Sequence, residues 1–441
     1  MVDRHGWWKA LHDPVVDRLV EAALRDNPTL EEAAARVDQA RAVLAARGAQ
    51  RLPNIGVVGN AGTSRDSMGA GAAAVGQTSV SLGASLSWEI DLWGRARESR
   101  LAAGGRLAAR TADAESARLS VVGDIADTVL ALRACDMTLA IRDHDIASRE
   151  TELRISRARL SFGNIAPVTV AASESNLAAT RTDRILQAET CQRLLDSLVA
   201  LSGLGADSIR QLMPQNAGAR GDDFALDPPL PAPPPFMPAL PATILLANPG
   251  VVAAEREVAV RWSEIAVARA ERLPRLDLAA ALTGQWIRAL DSSSTHSSNS
   301  AGLGLTGPLF DGGAGAANVR GAEAAYREAA AQLKLAVRTA VRDIEDGLAG
   351  QQSALARIET ARAALTAARF TLRANEARWH AGSIAQYELE ETRRQYRGAQ
   401  ESAVNAAADR ARAWVALVRR TGTAKEVSAA GRDISGASSG E

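Results

Sequence analysis

The sequence predicts a mostly α chain that carries two β-hairpins and is written twice along its 441 residues. Three observations carry that reading. In 79–92, "SVSLGASLSWEIDL", Val80, Leu82, Ala84, Leu86, Trp88, Ile90 and Leu92 alternate with small or acidic residues, the period of a strand with one apolar face. Ile125, Leu132, Leu139, Ile146, Leu153 and Leu160 recur every seven residues, the period of a helix packed as in a coiled coil. Residues in the first half also recur in the second at a nearly constant offset.

At an offset of 221, Asn27-Pro28 returns as Asn248-Pro249 and Arg51-Leu52-Pro53 as Arg272-Leu273-Pro274. At 219, Gly94 returns as Gly313, Asp124-Ile125 as Asp343-Ile344, Gly163 as Gly382 and Leu198-Val199 as Leu417-Val418. A single slip of two residues keeps this register over most of the chain, which marks an internal duplication. The division is an N-terminal segment 1–26, a first repeat 27–203, a connector 204–247, a second repeat 248–422 and a C-terminal tail 423–441 rich in Gly, Ser and Ala. The connector holds nine of the 16 prolines, between Pro214 and Pro241, and is read as stiff and extended without a helix. The tail is expected to fray.

Each repeat reads helix, hairpin, long helix, helix. In the first, a helix over 28–52 ends at Pro53, because the residue before a proline is pushed out of the helical region. The hairpin follows at 54–92, with strands over 54–63 and 79–92 and a Gly/Ala/Ser loop at 64–78. The long helix is 94–160 and the returning helix 167–202, joined by the turn "SFGNIAP". In the second repeat the elements are a helix 249–273, a hairpin 275–311, a long helix 313–380 and a helix 385–421. In that hairpin Leu276, Leu278, Ala280, Leu282 and Trp286 share one face, "DSSSTHSSNS" reads as a loop, and Ala301, Leu303, Leu305 and Leu309 resume the apolar face. The heptad positions of the second long helix are Ile344, Gln351, Ile358, Leu365, Leu372 and Trp379. Each long helix would reach ~100 Å at 1.5 Å per residue. The two shorter helices of a repeat together match its length, so they could lie end to end alongside it.

Composition removes several classes of function. Lys+Arg and Asp+Glu are 51 each, so there is no basic footprint for nucleic acid. The apolar runs fall short of the ~20 residues of a membrane helix, although barrel strands need only ~9–11. "MVDRHGWWKALHDP" has neither an apolar signal core nor a lipidation cysteine, which reads as a cytosolic chain or as a mature or truncated form of an exported one. The five histidines (His5, His12, His144, His296 and His380) are scattered, so no metal, cofactor or catalytic group is expected. "GLGLTG" at 302–307 fits a dinucleotide fingerprint in letters but continues into Pro308 and a further glycine pair instead of a helix.

A two-stranded hairpin is marginal alone, and an open edge is not tolerated in lipid. Known membrane barrels close with eight strands or more, so four strands per chain imply several chains sharing one barrel. The small polar positions would then line water. Trp88 and Trp93 near one strand end, and Trp286 near the other, suit interfacial girdles. A soluble sandwich, with the apolar face on helices, is the competing geometry.

"SWEIDLWGRAR" at 87–97, "LPATILLANPGVVAAEREV" at 240–258 and "GPLFDGGAGAA" at 307–317 resemble the outer-membrane factor family of tripartite efflux pumps, the TolC/NodT type. "GWWKALHDPVVDRLVEAALRDNPTLEEAAARV" at 6–37 is similar to the start of those mature chains, so the likeness spans nearly the whole sequence. It implies a homotrimer with a 12-stranded β-barrel in the bacterial outer membrane, continuous with a 12-helix α-barrel across the periplasm. The duct would be passive and not an enzyme. Its partners would be a periplasmic adaptor, an inner-membrane transporter of the resistance–nodulation–division class and outer-membrane lipid. Many relatives are exported lipoproteins. The chain departs from the family at Asn248-Pro249-Gly250, where Arg-Pro-Asp is usual. A type I secretion duct for polypeptides has the same scaffold, and a soluble coiled-coil scaffold protein stays open as a different class; detergent dependence and a trimeric mass separate the last from the ducts.

On this resemblance the turns "RLSFGNIAP" and "RWHAGSIAQ" lie at the periplasmic tip, where the tunnel narrows and adaptors dock. Glu388 and Glu391 match positions often acidic in relatives, and Thr169 holds the corresponding place in the first repeat. Repeated three times, the carboxylates would form anionic rings favouring cations; the competing reading is a solvated face paired with Arg393 and Arg394. Arg159, Gly163, Arg378 and Gly382 are the candidates for turn geometry and adaptor contact. Cys135 and Cys191 stand 28 residues either side of Gly163, at nearly one height on an antiparallel hairpin. An oxidising compartment would allow a disulfide, but facing helices seldom bring Cα atoms within about 7 Å, so two buried free thiols are expected.

Overall fold

The computed structural model describes residues 6–66, 75–213, 230–234, 245, 247–289 and 292–421. A 3-10 turn, Trp7–Leu11, precedes α1 (Pro14–Asp26) and α2 (Pro28–Ala49). Strands β1 (Asn54–Asp66) and β2 (Val75–Ile90) follow, then α3 (Arg95–Ser161), α4 (Pro167–Ser202) and α5 (Ala206–Leu212). The second series is α6 (Pro249–Ala270), β3 (Arg275–Ala289), β4 (Ser292–Thr306), α7 (Ala314–His380) and α8 (Gln386–Thr421). Matching members of the series have equal lengths: 22 residues in α2 and α6, 67 in α3 and α7, 36 in α4 and α8.

The differences from the sequence reading have local causes. Helix α2 stops at Ala49 and α6 at Ala270, not at 52 and 273. In both, the last turn tightens before the proline: Leu52 N–H donates to Ala49 O at 2.9 Å, and Leu273 N–H to Ala270 O at 3.0 Å. Strand β2 ends at Ile90, not 92, because Asp91 caps the next helix, accepting from Ala96 N–H at 3.0 Å and Arg97 N–H at 2.8 Å. The 64–78 loop is cut from both sides, since β1 runs to Asp66 and β2 starts at Val75. "DSSSTHSSNS" is no loop: from Ser292 it is strand β4, paired from Ser292↔Ala289 onward. The connector holds a helix after all, α5, in its proline-free start, with Ile209 fully buried. The rest of the Pro-rich stretch, apart from 230–234, 245 and 247, and the whole 423–441 tail lie outside the described residues.

The chain divides into two compact units. The helical unit is drawn from Met1–Glu32, Glu115–Val251 and Val337–Glu441, the sheet unit from Ala33–Ala114 and Val252–Ala336.

In the helical unit, cross-helix bonds fix the order α4-α3-α8-α7. Arg184 reaches Asp143 at 2.6 Å and Arg181 reaches Glu150 at 2.7 Å between α4 and α3. Asp124 and Asp127 of α3 hold Arg419 and Arg412 of α8 at 2.5 and 2.8 Å. Arg357 of α7 pairs with Asp409 of α8 at 2.7 Å. The heptad stripe is what these helices cover: Ile125, Leu132, Leu153, Ile344, Ile358 and Leu365 are buried and the other six positions half-buried. The largest core cluster joins Val122, Ile125 and Val129 of α3 to Leu195 and Leu198 of α4 and Val418 of α8, with Trp7 laid against Trp414 at 5.8 Å.

Asn27 and Asn248 do the same work in each series. Asn27 Oδ1 accepts from Thr29 N–H at 2.9 Å while its Nδ2 donates to Leu201 O at 2.8 Å. Asn248 Oδ1 accepts from Gly250 N–H at 3.0 Å and its Nδ2 donates to Arg420 O at 3.1 Å. The departure from Arg-Pro-Asp therefore leaves a helix cap in place.

The sheet unit holds one antiparallel sheet in the order β1-β2-β3-β4, with its two outer strands open. The register puts Ile55 opposite Leu86, Leu86 opposite Ala280 and Ala280 opposite Ala301, so at this level one apolar face crosses all four strands, while further along β4 the same face carries Asn299, Ser297 and Thr295. The other face carries Ser81, Gln285 and His296 in one row, and Ser85, Ala281 and Ser300 in another. A side chain at Gly83 would come within 2.8 Å of Thr283 Oγ1 and 2.9 Å of Leu282 O, so glycine is what lets β2 and β3 pair there.

Candidate functional site

Both helical turns close in the same way. Gly163 and Gly382 each sit at φ 70°, left-handed backbone that glycine adopts without cost. Gly163 N–H donates to Leu160 O at 2.8 Å and Asn164 N–H to Arg159 O at 2.9 Å; Gly382 N–H donates to Trp379 O and Ser383 N–H to Arg378 O, both at 2.9 Å. This is the paired-bond stop of a helix, and it gives Arg159 and Arg378 a backbone role in the turn while their side chains stay exposed. Alanine at Gly163 or Gly382 should cost about 1–2 kcal/mol, read as a lower thermal midpoint of the detergent-solubilised protein.

Around the second turn the charges are paired. Glu388 lies 3.6 Å from Arg378, across the turn. Glu391 is held by Arg394, with Nε at 3.1 Å, and by Gln395 at 3.2 Å. The Arg394 guanidinium keeps the Glu391 carboxyl below the usual carboxylate range. Of the two expected arginines, Arg394 pairs as foreseen, whereas Arg393 turns to Glu390 at 2.9 Å and Glu376 at 3.7 Å. Thr169 is exposed, with its N–H donating to Ala166 O at 3.0 Å.

Glu390 is the residue that sequence reasoning missed. Its side chain is 4 % exposed and takes bonds from Arg393, Gln386 Nε2 at 3.2 Å and Ser148 Oγ of α3 at 3.2 Å. Burial, and then the nearby Glu390 charge, push the Glu152 carboxyl up. The available signal was position: Glu390 adjoins Leu389, Thr392, Tyr396 and Gln400, a buried stripe at helical spacing. Asp13 and Arg133 were also missed. Asp13 Oδ1 accepts from Val15 N–H at 2.9 Å, capping α1, and from Arg133 Nη2 at 2.8 Å.

The expectation of free thiols fails. Cys135 and Cys191 are disulfide-bonded, with Cα atoms 5.6 Å apart, and Gln187 Nε2 donates to Cys135 Sγ at 3.0 Å. The two cysteines do stand at one height on the hairpin, and α3 and α4 come closer here than facing helices usually do.

In the sheet unit, Trp88 and Trp286 lie on the apolar face, since Trp286 pairs with Val80 and Trp88 with Leu278. The eight positions from Val80 to Trp88 span about 27 Å of strand. Trp88 Nε1 donates to Arg51 O at 3.0 Å. Trp93 lies beyond β2, and its Nε1 donates to Pro274 O at 2.7 Å. At the strand-to-helix joint Glu89 and Arg95 form a two-pronged pair at 2.9 and 2.6 Å. The corresponding joint before α7 is capped by Asp311, whose carboxyl the N–H groups of Gly315 and Gly313 hold below the usual range. Among the described residues no group of His, Cys, Asp and Glu could hold a metal, and no helix is long and apolar enough to cross a membrane.

Helical hairpins with paired turns, and an open four-stranded sheet with one apolar face, define the fold of outer-membrane channels. It is shared with the outer membrane protein VceC of Vibrio cholerae (TM-score 0.79, 22% identity, 96% of this chain and 99% of that one). It is shared also with the CmeC outer membrane channel of Campylobacter jejuni (TM-score 0.81, 20% identity, 95% and 88%). The profile of the outer membrane efflux protein family matches residues 19–204 and 240–423, and the chain belongs to that family. It is an outer-membrane component of efflux, in a family of channel proteins. Among its relatives are the pyoverdine export outer membrane protein OpmQ of Pseudomonas putida, 28% identical over 94% of this chain and 87% of that protein, and the outer membrane protein OprJ of Pseudomonas aeruginosa, 26% identical over 86% and 78%.

Proposed function

We propose that the chain acts as a homotrimer, three copies of its sheet closing a 12-stranded barrel above a 12-helix tunnel, and that the duct passively exports small molecules. The observation that carries this is the sheet itself: one face apolar along β2 and β3 and, at the level of Ile55, Leu86, Ala280 and Ala301, across all four strands, with both edges open. Lipid tolerates no open edge, so β1 of one copy must meet β4 of the next. Trp88 and Trp286 then mark the two boundaries of the lipid band, their spacing along the strand amounting to about 20 Å of height at barrel tilt. Trp93 sits at the periplasmic boundary. The equal element lengths of the two series support a duplicated origin. A periplasmic adaptor meeting the turns at Arg159, Gly163, Arg378 and Gly382, and an energised inner-membrane transporter of the resistance–nodulation–division class, complete the assembly. Mass measurement of the detergent-solubilised protein should give three chains; a single-chain mass would sink the shared barrel.

Glu388 and Glu391, three of each in a trimer, are proposed as the charged collar of the tunnel mouth, with Thr169 as its neutral counterpart. Each carboxylate faces an arginine, Arg378 for Glu388 and Arg394 for Glu391, which weakens that collar. Glu388→Gln/Glu391→Gln should move the reversal potential in a salt gradient towards zero. Since Arg394 holds the Glu391 carboxyl below the usual carboxylate range, the Glu391 contribution should persist to lower pH than that of an unpaired glutamate. An unchanged reversal potential in the double variant would remove these residues from the gate.

A further inference from the structure

The Cys135–Cys191 bond belongs to one series only: the second carries Ala354 and Arg410 at the offset of 219. Both cysteines lie in the main core of the helical unit, 4 % and 7 % exposed. That core is completed from distant parts of the chain, by Trp7 and Val16 before the cysteines, Ile209 after them, and Trp414 and Val418 of α8 near the end. Disulfide formation needs a thiolate to attack a sulfur of the oxidant, and so needs access. A protein-sized oxidant has little approach to a sulfur in a residue only 4 % or 7 % exposed. Chain order removes the difficulty: Cys135 and Cys191 reach the oxidising side of the inner membrane well before Trp414 and Val418 can close the core.

We infer that Cys135 and Cys191 are a modification site for a periplasmic protein disulfide oxidant, which acts on the exported chain before α8 docks. One cysteine thiolate attacks the oxidant disulfide and displaces one oxidant thiolate. The second cysteine thiolate then attacks the mixed disulfide at the substrate sulfur and displaces the other. The two cysteines give up two protons and two electrons, and the oxidant's disulfide becomes a dithiol. The bond fixes α3 to α4 while α7 and α8 are still unplaced. This goes beyond the duct reading and requires only export to the outer membrane.

Pulse-labelled protein from cells with and without the periplasmic dithiol oxidase, acid-quenched and alkylated in denaturant with a polyethylene-glycol maleimide, tests it. With the oxidase, both thiols should be protected before trimers appear. Without it, both should be labelled and assembled protein should fall several-fold, whereas Cys135→Ser/Cys191→Ser should assemble equally in both strains. In detergent, the folded reduced protein should be oxidised by glutathione disulfide at least about tenfold more slowly than in concentrated urea, because oxidation then waits on opening of the core. Protection at the same rate without the oxidase, or equal oxidation rates folded and in urea, would overturn the inference. Loss of conductance alone would overturn the duct and leave these labelling results standing.

Discussion

Arg133→Met should destabilise the helical unit by about 3–5 kcal/mol, because it leaves the buried Asp13 carboxylate without its charge partner. The Asp13 side chain is fully buried and that of Arg133 is 14 % exposed, with 2.8 Å between them. Asp13 also caps α1, so its side-chain oxygen has to be in place for the helix to begin. Asp13→Asn/Arg133→Met should recover much of the loss, since asparagine caps without a charge. Guanidinium titration of helical circular dichroism on the solubilised protein reads both variants. A single variant as stable as the wild type would mean that the pair adds nothing to docking the N-terminal segment.

Leu282→Arg should largely abolish assembly, at about 2–4 kcal/mol per chain repeated in each copy, whereas Ala281→Arg beside it should assemble normally. The register puts Leu282 opposite Ala84 and Asn299 on the apolar face, and Ala281 opposite Ser85 and Ser300 on the polar one. A one-residue difference in position becomes a difference between lipid and water. The band of the assembled multi-chain form on a mildly denaturing gel, quantified for both variants in outer-membrane fractions, gives the comparison. Equal loss in both would mean that the faces are not lipid and water.

The helices were legible because their signals are local or periodic. Pro53, Pro167 and Pro274 stop or start them, and the seven-residue stripes mark what α3 and α7 bury. The apolar parts of the strands were legible for the same reason, since alternation reports a contrast between two faces. Where both faces are polar there is no contrast, so Ser292–Ser300 and the ends of β1 and β2 were silent although their backbones pair. Helix α5 was hidden by the prolines that follow it. The candidate site was half legible. Glycine at the turns is a statement about backbone, and both turns obey it. Pairings such as Glu390 with Ser148, Asp13 with Arg133, or Cys135 with Cys191 depend on how closely and at what rotation helices meet. Sequence spacing gives height along a hairpin and nothing about separation.

A water-filled barrel shared between copies of this chain should conduct ions. Single-channel conductance of the purified protein in a planar bilayer tests it most directly. The expected result is a discrete, cation-preferring pore from wild type and from Ala281→Arg, and none from Leu282→Arg. Wild-type protein that is trimeric and inserted yet passes no current, including after the Glu388→Gln/Glu391→Gln change at the tunnel mouth, would contradict it.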